Sequence, residues 1–535
     1  MSQVATLAMR SASDRASSVG FPALTGFLAL FMVLLTLDDP GITIDEPLDV
    51  APGRHYIRLL MQQGPRFFSP DVINATYRNN REHPPLGRWL LGISSVSFEP
   101  IEVILRGADP TGLYVRAGRV APAAAFAALV FAISRWAGSV SGPAAALASG
   151  LSVLFMPRVF AHAHLAALDT FVALTWTLAF LSAVNYCESR RWKPFLLVCM
   201  FTGLALLTKI HGWLLVPAMV CWLVIRRPGW RAASGLMKAF SVSFLIFFLG
   251  WPWLWIDPVG RLLAYFRTGV DRVSIRVLYF GTVYQDIEVP WHYPWFYTLT
   301  TVPVVIVLLA LVGGWKGWKS WRTDQRPRAL TIAVFFWLLL FSTNAPVYDG
   351  ERLYLPVFSM VAILAGLGFA DLWLKNQVRW IRVVLTLVLL LQSYGGLSYH
   401  PFQLSYFNWL VGGLPGAERL GLELTYWGDA VDDRLLNELA QRADTGSTVV
   451  RVPTLAPSQG LQSTTRPLMA KELLMKDQQE RGGAEWIVLD RRTAYWPGEI
   501  SAFVQENPPM FLRYCHGVWL SGIWKGPIGK NADSN

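Results

Sequence analysis

Charge is what this sequence has least of. Asp, Glu, Lys and Arg make up 16% of its 535 residues, against 53% hydrophobic and 13% aromatic residues, and the mean hydropathy is +0.36. Soluble domains carry about 25% charged residues, so this composition excludes a soluble chain and leaves a polytopic membrane protein. Cysteine is scarce too: Cys187, Cys199, Cys221 and Cys515 show no C-x-x-C or metal-ligand spacing, and three lie in or beside apolar segments, so no disulfide framework is implied. Phosphate-cradling glycine loops are lacking. No GxxxxGK[ST] occurs, and Gly412-Gly413 after Trp409-Leu410-Val411 lacks the G-x-G-x-x-G spacing, which leaves a cytosolic nucleotide-sugar site unsupported. No A-x-A cleavage site precedes Asp38, so the apolar segment Phe21 to Leu37 is expected to stay as the first helix instead of leaving as a signal peptide.

What is present is a succession of apolar stretches. Taken in order they predict about eleven spans: 21–37, 114–134, 139–157, 166–185, 194–208, 211–225, 239–255, 295–313, 329–342, 353–373 and 381–398. The formal net charge of +11 comes from basic residues scattered over the links, which fits a membrane surface and anionic lipid better than nucleic acid. Their distribution sets an orientation. Arg10 and Arg15, Arg190 and Arg191, Arg226 and Arg227, Lys316 with Lys319 and Arg322, and Lys375 with Arg379 fall on alternate links, whereas the opposite links hold the single cations Arg158, Lys209 and Arg352. Cytoplasmic loops collect Lys and Arg, so residues 1–20 are expected inside, and the loops 38–113 and 256–294 with the tail 399–535 outside.

The outer loops read as organised. Ile57 to Met61 and the run Leu86 to Phe98, opened by Pro84-Pro85, are expected to be helices along the interface. Arg261, Arg267, Arg272 and Arg276 recur as on one amphipathic helix, between a Trp251-Trp253-Trp255 belt and Trp291-His292-Tyr293. In the tail, Thr448–Val452 and Trp486–Asp490 are expected to be buried strands, Met469 to Glu480 a helix, and Met510 to Trp524 one or two further strands, together a small α/β domain.

Polar residues collect at the outer boundary: Thr43-Ile44-Asp45-Glu46, Arg81-Glu82-His83-Pro84-Pro85-Leu86-Gly87-Arg88, His162-Ala163-His164 with Asp169, Lys209-Ile210-His211, and Glu351-Arg352. Asp45 can act as a base. Glu46 either orients an acceptor or holds helix ends, and Asp169 either pairs with Lys209 or meets the acceptor. Arg88, Lys209 and Arg352 are costly at a membrane boundary unless they snorkel or find an anionic partner such as a phosphate. A lone H-x-H is a weak metal signal, so a divalent cation is not favoured, and no cofactor is called for.

In this order the motifs Thr43-Ile-Asp-Glu, His83-Pro-Pro-Leu-Gly-Arg88, Leu168-Asp169-Thr170, Leu207-Thr208-Lys209 and Arg352-x-x-Leu-Pro356 resemble the protein O-mannosyltransferase-like family of membrane glycosyltransferases, related to the lipid A aminoarabinose transferases. Tyr406-Phe407-Asn408-x-x-x-Gly412-Gly413 and Tyr426-Trp427-Gly428-Asp429 are similar to the segment after the last span of bacterial members. Arg88 stands where many relatives have Lys, and residues 430–535 match no family pattern. The resemblance implies a C-type glycosyltransferase fold, a polyprenyl-phosphate-linked sugar donor of hexosyl or mannosyl type, inversion at the sugar, and a protein, lipid or glycan acceptor. It implies Asp45 as general base with Glu46 and Asp169 beside it, Arg88, Lys209 and Arg352 on the donor phosphate, and His83, His164, His211, Trp291 and His292 as substrate contacts. A transporter or flippase for a lipid-linked sugar, or a non-catalytic binding protein, is the other class. Transporters place ionisable groups near the midplane, often in repeated halves; here the charges collect at one boundary and no internal repeat is found.

Overall fold

In the computed structural model the described residues are 20–78, 81–109, 111–227, 229–269, 272–319, 324–453, 466–476 and 483–526. The amino-terminal tail with Arg10 and Arg15, and Arg322, lie outside them. Among the described residues five helices are long and apolar enough to cross a membrane: Val115–Leu154, Asp169–Ser189, Trp230–Gly250, Pro356–Lys375 and Arg379–Ser398. Shorter apolar helices are Gly20–Leu35, Trp192–Leu206 and Ile210–Arg226.

The expected spans 114–134 and 139–157 both fall within Val115–Leu154, whose backbone leaves the helical region at Ser141 and Gly142, just before Pro143. Ser134 Oγ nonetheless donates to the Ala146 carbonyl at 2.8 Å. Continuous helix would hold residues so spaced about 18 Å apart, so the two limbs fold back on each other. The expected span 295–313 needs correction. Pro303 has no N–H and forces Val302 into an extended conformation, so the segment divides into Tyr293–Thr301 and Val304–Lys319, bent by 113°.

Two helices outside the long spans carry the first polar motifs. Asp45–Gln63 and Leu86–Arg106 contain the helical stretches expected at 57–61 and 86–98 and extend both. They cross at a pair of glycines: a Cβ on Gly92 would lie 2.1 Å from the Gly53 carbonyl oxygen, and one on Gly53 would lie 2.2 Å from that of Arg88. Backbones can approach this closely only where both side chains are hydrogen, and the approach brings Asp49 against Arg88.

The single amphipathic helix expected to carry Arg261 through Arg276 is corrected. Helix Pro258–Thr268 holds Arg261 and Arg267, while Arg276 opens β1 (Arg276–Tyr279), which pairs antiparallel with β2 (Thr282–Gln285). Arg272 instead forms an ion pair with the buried carboxylate of Asp286.

The tail folds on a five-stranded sheet. Strands β3 (Thr448–Val452), β4 (Leu474–Lys476), β5 (Trp486–Asp490), β6 (Phe511–Cys515) and β7 (Val518–Lys525) lie in the order β4-β3-β5-β7-β6. β3 is parallel to β4 and β5, and β7 is antiparallel to β5 and β6. One face packs Val449, Trp486 and Val488 against Leu435, Leu436 and Leu439 of helix Asp433–Arg442. The other packs Val450, Ile487 and Leu489 against Ile500 and Phe503 of helix Gly498–Glu506. Burial on both faces is why β5 reads as an apolar run up to Asp490 and β3 as one interrupted by the buried Arg451. The helix expected over Met469 to Glu480 is a correction: Arg466–Ala470 is helical, but Leu474–Lys476 joins the sheet edge, and 477–480 lie outside the described residues.

Candidate active site

Asp45 and Glu46 form the first turn of helix Asp45–Gln63, where the exposed backbone N–H groups favour negative charge. Their side chains diverge because adjacent helical residues point about 100° apart. Glu46 turns inward and is fully buried. It accepts from Arg119 Nε at 2.7 Å and Nη2 at 2.9 Å, from the Thr43 N–H at 2.7 Å and from the Ala166 N–H at 2.8 Å. Arg119 spends its remaining donors on the carbonyls of Leu37, Pro40 and Gly41. Glu46 thus fastens the loop after the first helix to the turn that precedes Asp169, holding chain ends in place.

Asp45 turns the other way, with its side chain 26% exposed, and bonds Arg352 Nη2. Arg352 also donates Nε to Asp169 Oδ2 at 3.1 Å and Nη1 to Asp349 Oδ2 at 3.2 Å, and the Trp427 ring covers its guanidinium 4.0 Å from the centroid. Asp169, which opens helix Asp169–Ser189, takes Lys209 Nζ on its other oxygen at 2.6 Å. Lys209 sits in extended backbone between Trp192–Leu206 and the following turn, and the Leu86 N–H donates to the Leu207 carbonyl at 3.1 Å, tying that turn to the start of helix Leu86–Arg106. Arg88 is buried and does not snorkel; its Nε bonds Asp49 Oδ1 at 3.0 Å and its Nη2 bonds Glu82 Oε1 at 2.5 Å. Burial pushes the Asp49 carboxyl up to about 6, against the pull of Arg88.

The backbone around Asp45 is stitched to a distant segment. The Ile44 N–H donates to the Trp427 carbonyl at 3.2 Å and the Gly41 N–H to that of Asp429 at 2.8 Å. Two segments singled out by resemblance, Thr43-Ile-Asp-Glu and Tyr426-Trp427-Gly428-Asp429, therefore meet although most of the chain separates them.

The histidines divide. The His83 Nδ1 is buried without a hydrogen-bond partner, and burial with the cations Arg88 and Lys209 holds its pKa well below the usual value. His211 stacks on Trp337 and Phe341, 6.4 and 6.5 Å between ring centres. His164 faces the first helix, with Nδ1 donating to the Phe160 carbonyl at 2.9 Å and Nε2 on Thr36 Oγ1 at 2.8 Å. His292 Nδ1 is 2.8 Å from the Tyr279 hydroxyl, and Trp291 is exposed. The described bonds connect neither of these last two, nor His164, to Asp45, Asp169 or Arg352. Among the described residues no group of three or more His, Cys, Asp or Glu is arranged to hold a metal ion; the carboxylates of the cluster face cations instead.

The sequence model of the family described as dolichyl-phosphate-mannose-protein mannosyltransferase matches residues 82–256. That segment, about a third of the chain, carries His83, Arg88, Asp169 and Lys209 but neither Asp45 nor Arg352. The structure is similar over nearly its whole length to ArnT from Cupriavidus metallidurans. With the apo form the TM-score is 0.54 at 15% identity, covering 94% of this chain and 97% of that one. With the form bound to undecaprenyl phosphate it is 0.53 at 15% identity, covering 95% and 98%. The fold is that of a C-type membrane glycosyltransferase. A search of curated proteins finds no sequence match.

Within this C-type fold several residues to which the sequence reading gave no role join the cluster. Asp49 lies one turn after Asp45 on the same helix face, a spacing that was available. His162, not His164, is the histidine beside the cluster: its ring centre lies 5.3 Å from that of Trp427 and both its nitrogens are buried without partners. Burial holds its pKa at about 4, partly countered by Asp169. Asp349 stands three residues before Arg352, close enough to have been suspected. Trp427 belonged to a recognised run but had no assigned role, and Arg492 gave no signal at all.

Proposed function

We propose that this membrane protein is a glycosyltransferase that moves a sugar from a polyprenyl-phosphate-linked donor to an acceptor hydroxyl or amine on the extracytoplasmic side, with Asp45 as general base. The observation that carries the reading is the sharing of Arg352 between Asp45 and Asp169, with Lys209 on the second carboxylate. Of these groups Asp45 is the most exposed, so an incoming phosphate can replace it on Arg352 while Asp169 keeps Arg352 and Lys209 in place. The charged donors then stabilise the leaving phosphate, where negative charge grows in the transition state.

The step follows directly. The acceptor oxygen or nitrogen forms a bond to the anomeric carbon, the carbon–oxygen bond to phosphate breaks with its electron pair leaving on the phosphate, and the acceptor proton passes to Asp45. One in-line displacement inverts the anomeric centre. The excess of Lys and Arg on the alternate links supports placing this chemistry outside. The sugar and the acceptor class, whether protein, lipid or glycan, are left to experiment.

The test uses the purified full chain in lipid nanodiscs with polyprenyl-phosphate-linked hexoses. Mass spectrometry of extracytoplasmic glycoproteins and glycolipids, with and without the gene, identifies the acceptor fraction to add. Release of polyprenyl phosphate in step with a hexose gained by the acceptor is expected. Movement of the intact donor between leaflets without transfer would overturn the reading in favour of a flippase.

A further inference from the structure

We infer that Arg492, supplied by the C-terminal sheet domain, is a positioning residue for the active site, acting on Arg352 by two routes and on Asp45 by a third. The inference rests on the glycosyltransferase reading above.

Arg492 lies two residues beyond the end of β5 and is 4% exposed. Its Nη2 donates to Asp349 Oδ1 at 2.8 Å, and the other oxygen of the same carboxylate takes Arg352 Nη1 at 3.2 Å. Asp349 is therefore a bridge between two guanidinium groups. Its backbone is in the left-handed region, φ +54°, as is that of Gly350, φ +64°. Aspartate tolerates this conformation better than most residues, and glycine suits the next position because its φ strains any side chain and a Cβ there would press within 2.7 Å of Arg158 Nη1. The turn leaves Asp349 between the arginines and delivers Arg352 three residues later.

The second route is the Tyr426 carbonyl, which accepts Arg492 Nη1. The next residue, Trp427, lays its ring over the Arg352 guanidinium, so the same arginine fixes the surface that covers the catalytic cation. The third route continues through the Trp427 carbonyl to the Ile44 N–H, immediately before Asp45. A planar fork can hold two acceptors in fixed directions at once, which a lysine ammonium does less well.

Other contacts also dock this domain, and they supply the control. Arg491 pairs with Glu418 at 2.5 Å, and the Tyr495 hydroxyl accepts the Arg276 N–H at 2.8 Å. If Arg492 merely helped docking, its loss and the loss of Arg491 would resemble each other. A positioning residue behaves differently, because misplacing a reacting group by about 1 Å can cost about a hundredfold in rate.

The experiment compares Arg492→Met, Arg492→Lys and Arg491→Gln in the full chain in nanodiscs, reading thermal unfolding, undecaprenyl phosphate affinity and kcat for transfer. We expect Arg492→Met to lower affinity for undecaprenyl phosphate and kcat by roughly 10- to 100-fold, with Arg492→Lys recovering part of each and Arg491→Gln staying within about twofold. In an Arg352→Lys background the further effect of Arg492→Met should shrink to the part carried through Ile44 to Asp45, since the other two routes act through Arg352. Folded Arg492→Met and Arg492→Lys with unchanged affinity and kcat would overturn the inference, as would an undiminished effect in the Arg352→Lys background. If Arg492→Met does not fold, Arg492→Lys and its double variant decide the matter. Failure of the wild-type chain to bind undecaprenyl phosphate or to transfer sugar would instead overturn the glycosyltransferase reading.

Discussion

Asp45 and Glu46 are neighbours in the chain and anchor two arginine-centred clusters of opposite character. Around Glu46 and Arg119 every contact is internal: the carboxylate is fully buried, and the guanidinium ends on backbone carbonyls. Around Asp45 and Arg352 the guanidinium is divided among three carboxylates, and one of these remains partly open. The first arrangement leaves nothing for a substrate to take, whereas the second can exchange a protein carboxylate for a phosphate. Residue type does not separate the two roles; what each group has left to bond does.

The largest effect should come from Asp45→Asn, which removes the proposed base without changing its shape. A positioned base contributes roughly 100- to 10,000-fold in rate, so transfer measured on the purified variant should fall by that range while its unfolding temperature holds. Arg119→Met should do the reverse. Leaving Glu46 buried and unpaired costs about 3–5 kcal/mol, visible as a lowered unfolding temperature and poor recovery of folded protein. Equal stability losses in the two variants would erase the contrast.

Next come the cations. Arg352→Met and Lys209→Met should each weaken undecaprenyl phosphate binding by about 1.5–3 kcal/mol, as expected for a charge-assisted bond to phosphate, measured by titration in nanodiscs. Arg352 touches more of the cluster than Lys209 and should show the larger loss. Arg88→Met should chiefly reduce stability, because Arg88 is buried against Asp49 and Glu82.

A further contrast concerns pH and touches stability alone. Burial raises the Glu423 carboxyl to about 8, with Arg492 opposing the shift. The folded chain then keeps a proton that the unfolded chain has released between the ordinary value of 4.5 and about 8, so this group's contribution to stability falls as pH rises through that window and is flat above it. Glu423→Gln should unfold at a higher temperature than wild type at pH 8.5, and the difference should close towards pH 4.5. Parallel pH profiles for the two proteins would show that Glu423 is not held protonated.

Much of this comparison was legible before the structure. The scarcity of charge led to a membrane protein, and the short β-branched and apolar runs at Thr448–Val452 and Trp486–Asp490 led to β3 and β5 as buried strands. Asp45, Asp169, Lys209 and Arg352 were singled out by short motifs beside helix ends and by the family resemblance, and the structure brings the four into one cluster. What escaped notice depended on contacts that local pattern does not encode. The periodic arginines from Arg261 to Arg276 suggested one helix, but the pairing of Arg272 with Asp286 and the β1–β2 pairing divide that segment. Leu474–Lys476 has helical company in sequence yet is recruited by the edge of β3. His162 and His164 are indistinguishable as an H-x-H, and only packing against Trp427 or Thr36 tells them apart. Arg492 could not be read at all, since its partners Asp349 and Tyr426 are remote in the chain.

The most direct measurement is the affinity of Asp45→Asn for undecaprenyl phosphate, taken on the same preparation whose turnover is assayed. If phosphate displaces Asp45 from Arg352, removing that negative charge should leave binding intact or tighten it while transfer is lost. Sustained turnover, or binding that weakens along with turnover, would contradict the assignment of Asp45 as the base that gives up its cation to the donor.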